Sequence, residues 1–359
     1  MKKKHYIWIS AYLLFLMTAC EKKLDPLDTY KDITVVYGLI NPLDTIHYIR
    51  INKAFLTDGD VVMMAQDPAA STYPVEDIDV RIYEITPTGN TTQIPVETTI
   101  IHDKDSGVFY YPEQLVYYFK KTFGNNLYNL DNTIKIEIEN KKTGKITYAE
   151  TPLVNDFSIE YPRNGHPLDL PPNRITRCMW KNAKNGKIYD VYYTLYYREG
   201  RNIEPSTVWE NDSLTWHIGT YSAVKTGNGD KQIETFQFNP TAFYGQIQKN
   251  VVYDTSLWRT PYMRKSKITV WSGGEALHYY HNINKPAQGV TQERPEYTNL
   301  KTKIYSEEIG DYKDIENEAF GIFSSRMKTS NIISLTDTIV MKYLPATDRQ
   351  FHPVPVLVD

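Results

Sequence analysis

Ile134-Lys-Ile-Glu-Ile-Glu139, then Asn140-Lys-Lys-Thr-Gly-Lys145, then Ile146-Thr-Tyr-Ala-Glu150 is the stretch that decides the fold class. Its first six residues alternate isoleucine with charge, the period of a strand buried on one face only. The polar Asn/Lys/Thr/Gly run that follows turns the chain back, so 134–150 reads as a β-hairpin. The same period recurs on both sides of it. Ile33 to Ile40 and Thr45 to Asn52 flank the turn cluster Asn41-Pro42-Leu43-Asp44. In the second of these, His47, Ile49 and Ile51 share one face, while Ile46, Tyr48 and Arg50 share the other. Further strands are expected over 78–85, 92–101, 107–111, 175–180, 188–199, 213–218, 234–238, 267–271 and 338–343.

The run from Tyr189 to Arg198 carries tyrosine on both faces. Tyr189, Val191, Tyr193, Leu195 and Tyr197 point one way, and Asp190, Tyr192, Thr194, Tyr196 and Arg198 the other. Such a strand packs on one face and shows phenols to water on the second. Two short helices break the β pattern. Asn239-Pro240 places a cap and a proline before Phe243, Ile247 and Val251, which recur every four residues. Gly273-Gly274 precedes a second helix over 275–282 with Leu277 and Tyr280 on one side. The expected fold is therefore mainly β: two β-sandwich-like (immunoglobulin-like) domains, 31–155 and 156–359, with short helical insertions in the second. Proline clusters between 152 and 173 mark the division.

The chain has 359 residues with 40 basic and 43 acidic side chains, a net charge of −3, which lacks the basic excess of a nucleic-acid binder. With 41% hydrophobic residues it is neither disordered nor fibrous. Tyrosine dominates the aromatics, 29 against 12 Phe and 6 Trp, which directs attention to amphipathic surfaces.

The first twenty residues read as an address. Lys2, Lys3 and Lys4 precede an apolar run from Tyr6 to Met17, too short for a bilayer span of about 20 residues. Leu16-Met17-Thr18-Ala19-Cys20 resembles a bacterial lipobox, with cleavage before Cys20 and acylation of its thiol. An uncleaved N-terminal anchor and a plain secretory signal are the alternatives. On the lipobox reading 1–19 is a signal peptide, Cys20 carries the lipid (palmitate among its chains), and 20–30 is a tether; several acyl chains anchor stably where one is marginal. Cleavage removes three lysines and no acid, taking the net charge from −3 to −6. Cys178 is then the one remaining free thiol, and a buried hydrophobic role is expected for it.

Several of these stretches together resemble a known family. They are Cys20, Val35-Val-Tyr-Gly-Leu-Ile-Asn-Pro42, Ile51-Asn-Lys-Ala-Phe55, the strands holding Trp180, Tyr189 and Tyr193, Glu275-Ala-Leu-His-Tyr-Tyr-His281, and Glu318-Ala-Phe-Gly-Ile-Phe323. In their order the chain is similar, over about residues 30 to 345, to the Bacteroidota lipoproteins grouped as domain of unknown function 4249 (DUF4249). Members are often encoded beside SusC-like TonB-dependent transporters. The resemblance implies a lipoprotein of the outer membrane facing the cell surface, acting as a binding or assembly partner of a SusC-like β-barrel. It brings no catalytic residues with it.

Motifs for chemistry are weak. His102-Asp103-Lys104-Asp105-Ser106-Gly107 offers two carboxylates, but Gly107 and Gln114 stand where a Ca²⁺ loop needs ligands. His278 and His281 lack the third ligand zinc requires. Ser272-Gly273-Gly274 lacks the glycine of a nucleophile turn, and Glu307-Glu308 would point to opposite faces of a strand. The chain is expected not to be an enzyme, with no metal and no cofactor. The residue types left over are aromatic: Tyr192, Tyr196, Trp209, Trp216, Tyr221, Trp258, Tyr262 and Trp271. Trp209 and Trp258, in polar loops, are the candidate ligand-binding residues, for a glycan or a peptide. A free-standing surface glycan-binding lipoprotein is accordingly the alternative function.

Overall fold

A computed structural model of the chain describes residues 33–54, 65–102, 105–107, 110–123, 131–201, 207–223, 232–284, 297–316 and 318–352. Residues 1–32, with the expected signal peptide, Cys20 and the expected tether, lie outside the described residues.

The strands in chain order are β1 (Thr34–Ile40), β2 (Ile46–Lys53), β3 (Ile78–Ile85), β4 (Thr91–Ile94), β5 (Val96–Ile101), β6 (Gln114–Lys120), β7 (Thr133–Asn140), β8 (Ile146–Pro152), β9 (Ile159–Tyr161) and β10 (Pro167–Leu168). They continue as β11 (Thr176–Lys181), β12 (Ile188–Gly200), β13 (Glu210–Ser222), β14 (Ile233–Phe238), β15 (Trp258–Pro261), β16 (Ser266–Gly273), β17 (Lys301–Ser306), β18 (Asp311–Ile315) and β19 (Ala319–Leu335). Two ten-residue helices, α1 (Thr241–Asn250) and α2 (Glu275–Asn284), fall where the sequence places them. The fold is mainly β, as expected.

The largest sheet has ten strands, ordered β13-β12-β16-β19-β1-β2-β6-β5, with β10 and β15 added at the side. Its floor is built by alternation. On β12, Tyr189, Val191, Tyr193, Leu195 and Tyr197 are all buried, as the sequence pattern requires. On β2, His47, Ile49 and Ile51 are buried, and Ile46, Tyr48 and Arg50 are exposed. Two smaller sheets close this one face. A six-stranded sheet, β18-β17-β8-β7-β3-β4, packs Ile82, Ile134, Ile136 and Ile138 against Val36, Ile49, Phe119 and Phe323. Each such fully buried side chain contributes about 1.5–3 kcal/mol. A three-stranded sheet, β14-β11-β9, and helix α1 pack Cys178, Trp180, Phe238, Phe243 and Ile247 against Tyr189, Val191, Ile268 and Ile333.

The chain does not separate in space at 155/156. Ile33–Asp359 forms one compact unit. β17 and β18, late in sequence, complete the first layer pair, and β19 serves both cores. On that strand Ala319, Phe323 and Met327 belong to the first core, and Ile333 and Leu335, on the same face, to the second. β1 joins β19 in parallel over Thr34–Ile40, whereas β16 joins it antiparallel over Ser266–Gly273. Gly321 makes the parallel contact possible: its φ is +100°, and a Cβ there would run into the Val36 carbonyl.

Three local expectations change. The segment 338–343 is not a strand but a wide helical turn, Ile339–Tyr343. Its apolar residues Ile339, Val340 and Leu344 are spaced for one helix face and enter the second core, and the Thr336 hydroxyl accepts from the Ile339 N–H at 3.4 Å. The 92–101 strand breaks at Pro95 into β4 and β5. The described part of 107–111 is irregular; the strand instead follows Pro112, as β6.

Tyrosine fills much of the second core, and its hydroxyls are satisfied there. Tyr189 accepts from the Ala183 N–H at 3.0 Å, Tyr244 donates to the Leu170 carbonyl at 2.7 Å, and Tyr193 donates to the Ser266 hydroxyl at 3.3 Å. Burial pushes the Tyr189 phenol up to about 12. Cys178 is buried in the same core, and burial raises its thiol to about 12, which makes it inert as a nucleophile.

Two buried polar residues tie distant segments together. Arg259 is 1% exposed; it donates to Glu199 at 2.9 Å and to the Arg349 carbonyl at 3.0 Å, pinning the C-terminal segment to β15. Arg259→Met is expected to lower stability by about 3 kcal/mol, since it leaves Glu199 and that carbonyl without their partner; urea unfolding measures this. His47 stacks on Phe119 at 4.7 Å between ring centroids and donates its Nε2–H to the Lys121 carbonyl at 2.9 Å. Burial lowers its pKa, against smaller raising effects of that hydrogen bond and of Asp44. A depressed folded pKa means the unfolded chain takes up the proton first, so stability falls as pH drops below the ordinary histidine range of about 6.5. His47→Leu is expected to flatten the decline in melting temperature between about pH 6.5 and 5.

Candidate functional site: the open face of the ten-stranded sheet

Among the described residues, most of the second face of the ten-stranded sheet is left open. Among the described residues, α2 is the helix that crosses it: Leu277 and Ile188 close over Gly273, and Tyr280 lies beside Tyr37. The helix divides the face into two fields, one on β12, β13, β16 and β19, the other on β1, β2, β6 and β5.

In the first field, residues pair across strands in straight rows. His217, Tyr192, Thr269 and Ser330 form one row, and Thr220, Asp190, Trp271 and Lys328 the next. Cations lie against aromatic rings in and around these rows. Arg326 and Lys328 lie 4.7 and 5.1 Å from the Trp271 ring centre. Lys267 lies 5.9 Å from that of Tyr196, Lys265 4.0 Å from Tyr262, and Arg198 4.6 Å from Trp209. The His217 ring lies tilted against Tyr192, 4.8 Å between ring centres. Each cation is drawn to the negative face of its ring, about 0.5–1 kcal/mol at an exposed site, and so is held in place. Asp190 is the carboxylate of this field; it accepts from Thr220 at 2.5 Å and from His217 at 3.2 Å. Burial first, and then the Asp190 charge, raises the Tyr192 phenol, which therefore stays a neutral donor.

The second field is tyrosine-rich. Arg50 lies over Tyr37 at 5.2 Å, and Tyr48 and Tyr118 face each other at 6.0 Å. Tyr118 donates to Glu97. Beside them a cavity of about 590 Å³ is lined by Val35, Tyr37, Arg50, Asn52, Tyr110 and Leu115, among others.

The residues expected to act divide between core and surface. Trp216 and Tyr221 go inward; Tyr192, Tyr196 and Trp271 are on the open face. Trp209 lies at the corner of that face, over Gly200, where a Cβ would come within 3.2 Å of its ring. Trp258 pairs with Gly200 across the strands, and its ring lies tilted against His352, 3.9 Å between ring centres. Both tryptophans are half-buried, next to a hollow of about 440 Å³ lined by Gly200, Arg201, Thr207, Val208 and Leu257, among others. Cys20 is outside the described residues, as are Asp103 and Lys104 of the candidate Ca²⁺ loop. His102 pairs with Glu113 at 3.6 Å, and His278 with the Asn282 amide at 2.7 Å. Among the described residues no three His, Cys, Asp or Glu side chains gather as metal ligands. The cations of the first field escaped the sequence reading, although Arg326, Lys328, Ser330 and Ile332 alternate with less exposed neighbours and carried a readable period of two.

No protein-family model matches the chain, and no curated protein does. Among solved structures, the C-terminal globular domain of an oligosaccharyltransferase from Pyrococcus abyssi is similar at 11% identity and a TM-score of 0.22, over 63% of this chain and 44% of that one. The chain thus spans under half the length of that protein, and a likeness at this score carries no argument about function.

The division of aromatics between core and surface is testable by substitution. Trp180→Ala, which empties a fully buried site, is expected to cost about 3–5 kcal/mol. Trp271→Ala removes exposed ring–cation contacts and is expected to cost about 1 kcal/mol. Denaturant unfolding of both variants checks the contrast.

Proposed function

We propose that this chain is a lipid-anchored protein of the outer membrane, facing the cell exterior, that works by contact and not by catalysis. Its partner is a SusC-like TonB-dependent β-barrel. The observation that carries the reading is the lipobox ending at Cys20 in front of a β-built chain with a broad uncovered sheet face. A tethered protein needs a surface to meet its partner, and tyrosine, tryptophan and arginine are the side chains enriched at such surfaces. The resemblance to the DUF4249 lipoproteins supplies the identity of the partner.

A second reading is a free-standing glycan-binding lipoprotein. The aromatic rings spaced along β12 and β16 on the open face favour it, because a Tyr or Trp edge gives a sugar an apolar neighbour.

The first reading is tested by purifying the full chain from detergent-solubilised outer membrane. A TonB-dependent barrel is expected to co-purify in stoichiometric amount. The chain recovered alone contradicts the reading, and so does a Cys20→Ala chain that keeps its membrane attachment.

A further inference from the structure

We infer that the first field of the open face binds a linear acidic oligosaccharide, its anionic groups taken by Arg198, Lys267 and the Arg326–Lys328 pair. The inference deepens the glycan-binding reading. These four cations share one face and make no ion pair among the described residues, whereas Asp190, the carboxylate among them, is engaged by Thr220 and His217. Among the described residues, four cations without an ion pair stand against one carboxylate, on a chain of net charge −3, which is a local reversal of sign. The rings beneath them hold the cations in place before any ligand arrives, which lowers the cost of ordering them.

The spacing suits a chain-like ligand. Lys328 pairs with Trp271, four residues along β16 from Lys267; Lys267 pairs with Thr194, four residues along β12 from Arg198. At about 3.3 Å per residue the three positions step across three neighbouring strands at intervals of about 13 Å along the strand direction. A compact anion would reach one step; an extended polyanion reaches all three. The ground between is hydroxyl and phenol: Tyr192, Tyr196, Thr269 and Ser330, with the last two hydrogen-bonded at 2.9 Å. Those groups exchange hydrogen bonds with a polyhydroxylated ligand and offer ring edges to its C–H faces, which favours an acidic sugar over an acidic protein or a nucleic acid.

Calorimetric titration of the purified mature chain tests this, with oligogalacturonate as the acidic probe, a neutral glucan oligomer of equal length, and a single-stranded oligothymidylate. Salt-dependent binding of oligogalacturonate is expected, weakened at least about tenfold by Lys267→Gln with Lys328→Gln, since each charged hydrogen bond contributes a substantial share of affinity. Lys313→Gln, exposed on the six-stranded sheet and away from this face, is expected to leave it unchanged. No binding of oligogalacturonate at millimolar concentration, or binding indifferent to the double substitution, overturns the inference. Equal or tighter binding of the oligothymidylate overturns it too, as a general polyanion site. Binding of the neutral oligomer alone overturns the charge assignment while leaving glycan binding standing. Melting curves confirm that the variants fold, and Lys267→Glu, reversing one charge, provides a second variant expected to weaken binding.

Discussion

Strand β19 carries seventeen residues whose alternate side chains enter two different cores on one face. That single amphipathic strand is the constraint the rest depends on. Its first half pairs in parallel with β1 and its second half antiparallel with β16, so the strands of both halves of the chain become one sheet. Because the side-chain period is two, everything buried on one face of this sheet leaves everything else on the other. The six-stranded and three-stranded sheets close the first face. The second face keeps its polar and aromatic side chains, and the surface read here as functional is a by-product of that register.

Much of this was legible from sequence. The alternation at 134–139, 45–52 and 189–198 separated the two faces of each strand, and the faces carrying Ile134, Ile49 and Val191 are the buried ones. Legibility failed where burial is two-sided or the spacing ambiguous. The first half of β19, Ala319 to Ser325, is covered on both faces and shows no alternation. The run 338–343 is rich in β-branched residues, yet its apolar side chains fit one face of a helical turn. The pairing of late strands with early ones, β17 with β8 and β19 with β1, is a matter of topology that local pattern does not encode.

The site was partly legible. Tyr192 and Tyr196 stand out on one face of their strand from alternation alone, and Trp271 as an aromatic of the next one. Their cations do not, since Arg326 and Lys328 reach Trp271 from a strand more than fifty positions away in sequence. Trp209 and Trp258 stood out for their polar surroundings, and the structure gives each a partner, Arg198 and His352. The proposed anchor at Cys20 is read from the order of Lys2–Lys4, the apolar run and Leu16–Cys20.

The five tryptophans from Trp180 onward all lie outside the first core, so their fluorescence reports the second part of the sheet. Gly321→Ala strikes β19 at its first-core end, against the Val36 carbonyl. If β19 makes the two layer pairs one cooperative structure, denaturant unfolding of this variant followed by tryptophan fluorescence and by far-ultraviolet circular dichroism will give coincident transitions, both displaced to lower denaturant. An unmoved fluorescence midpoint beside a separate early loss of dichroism would contradict the account.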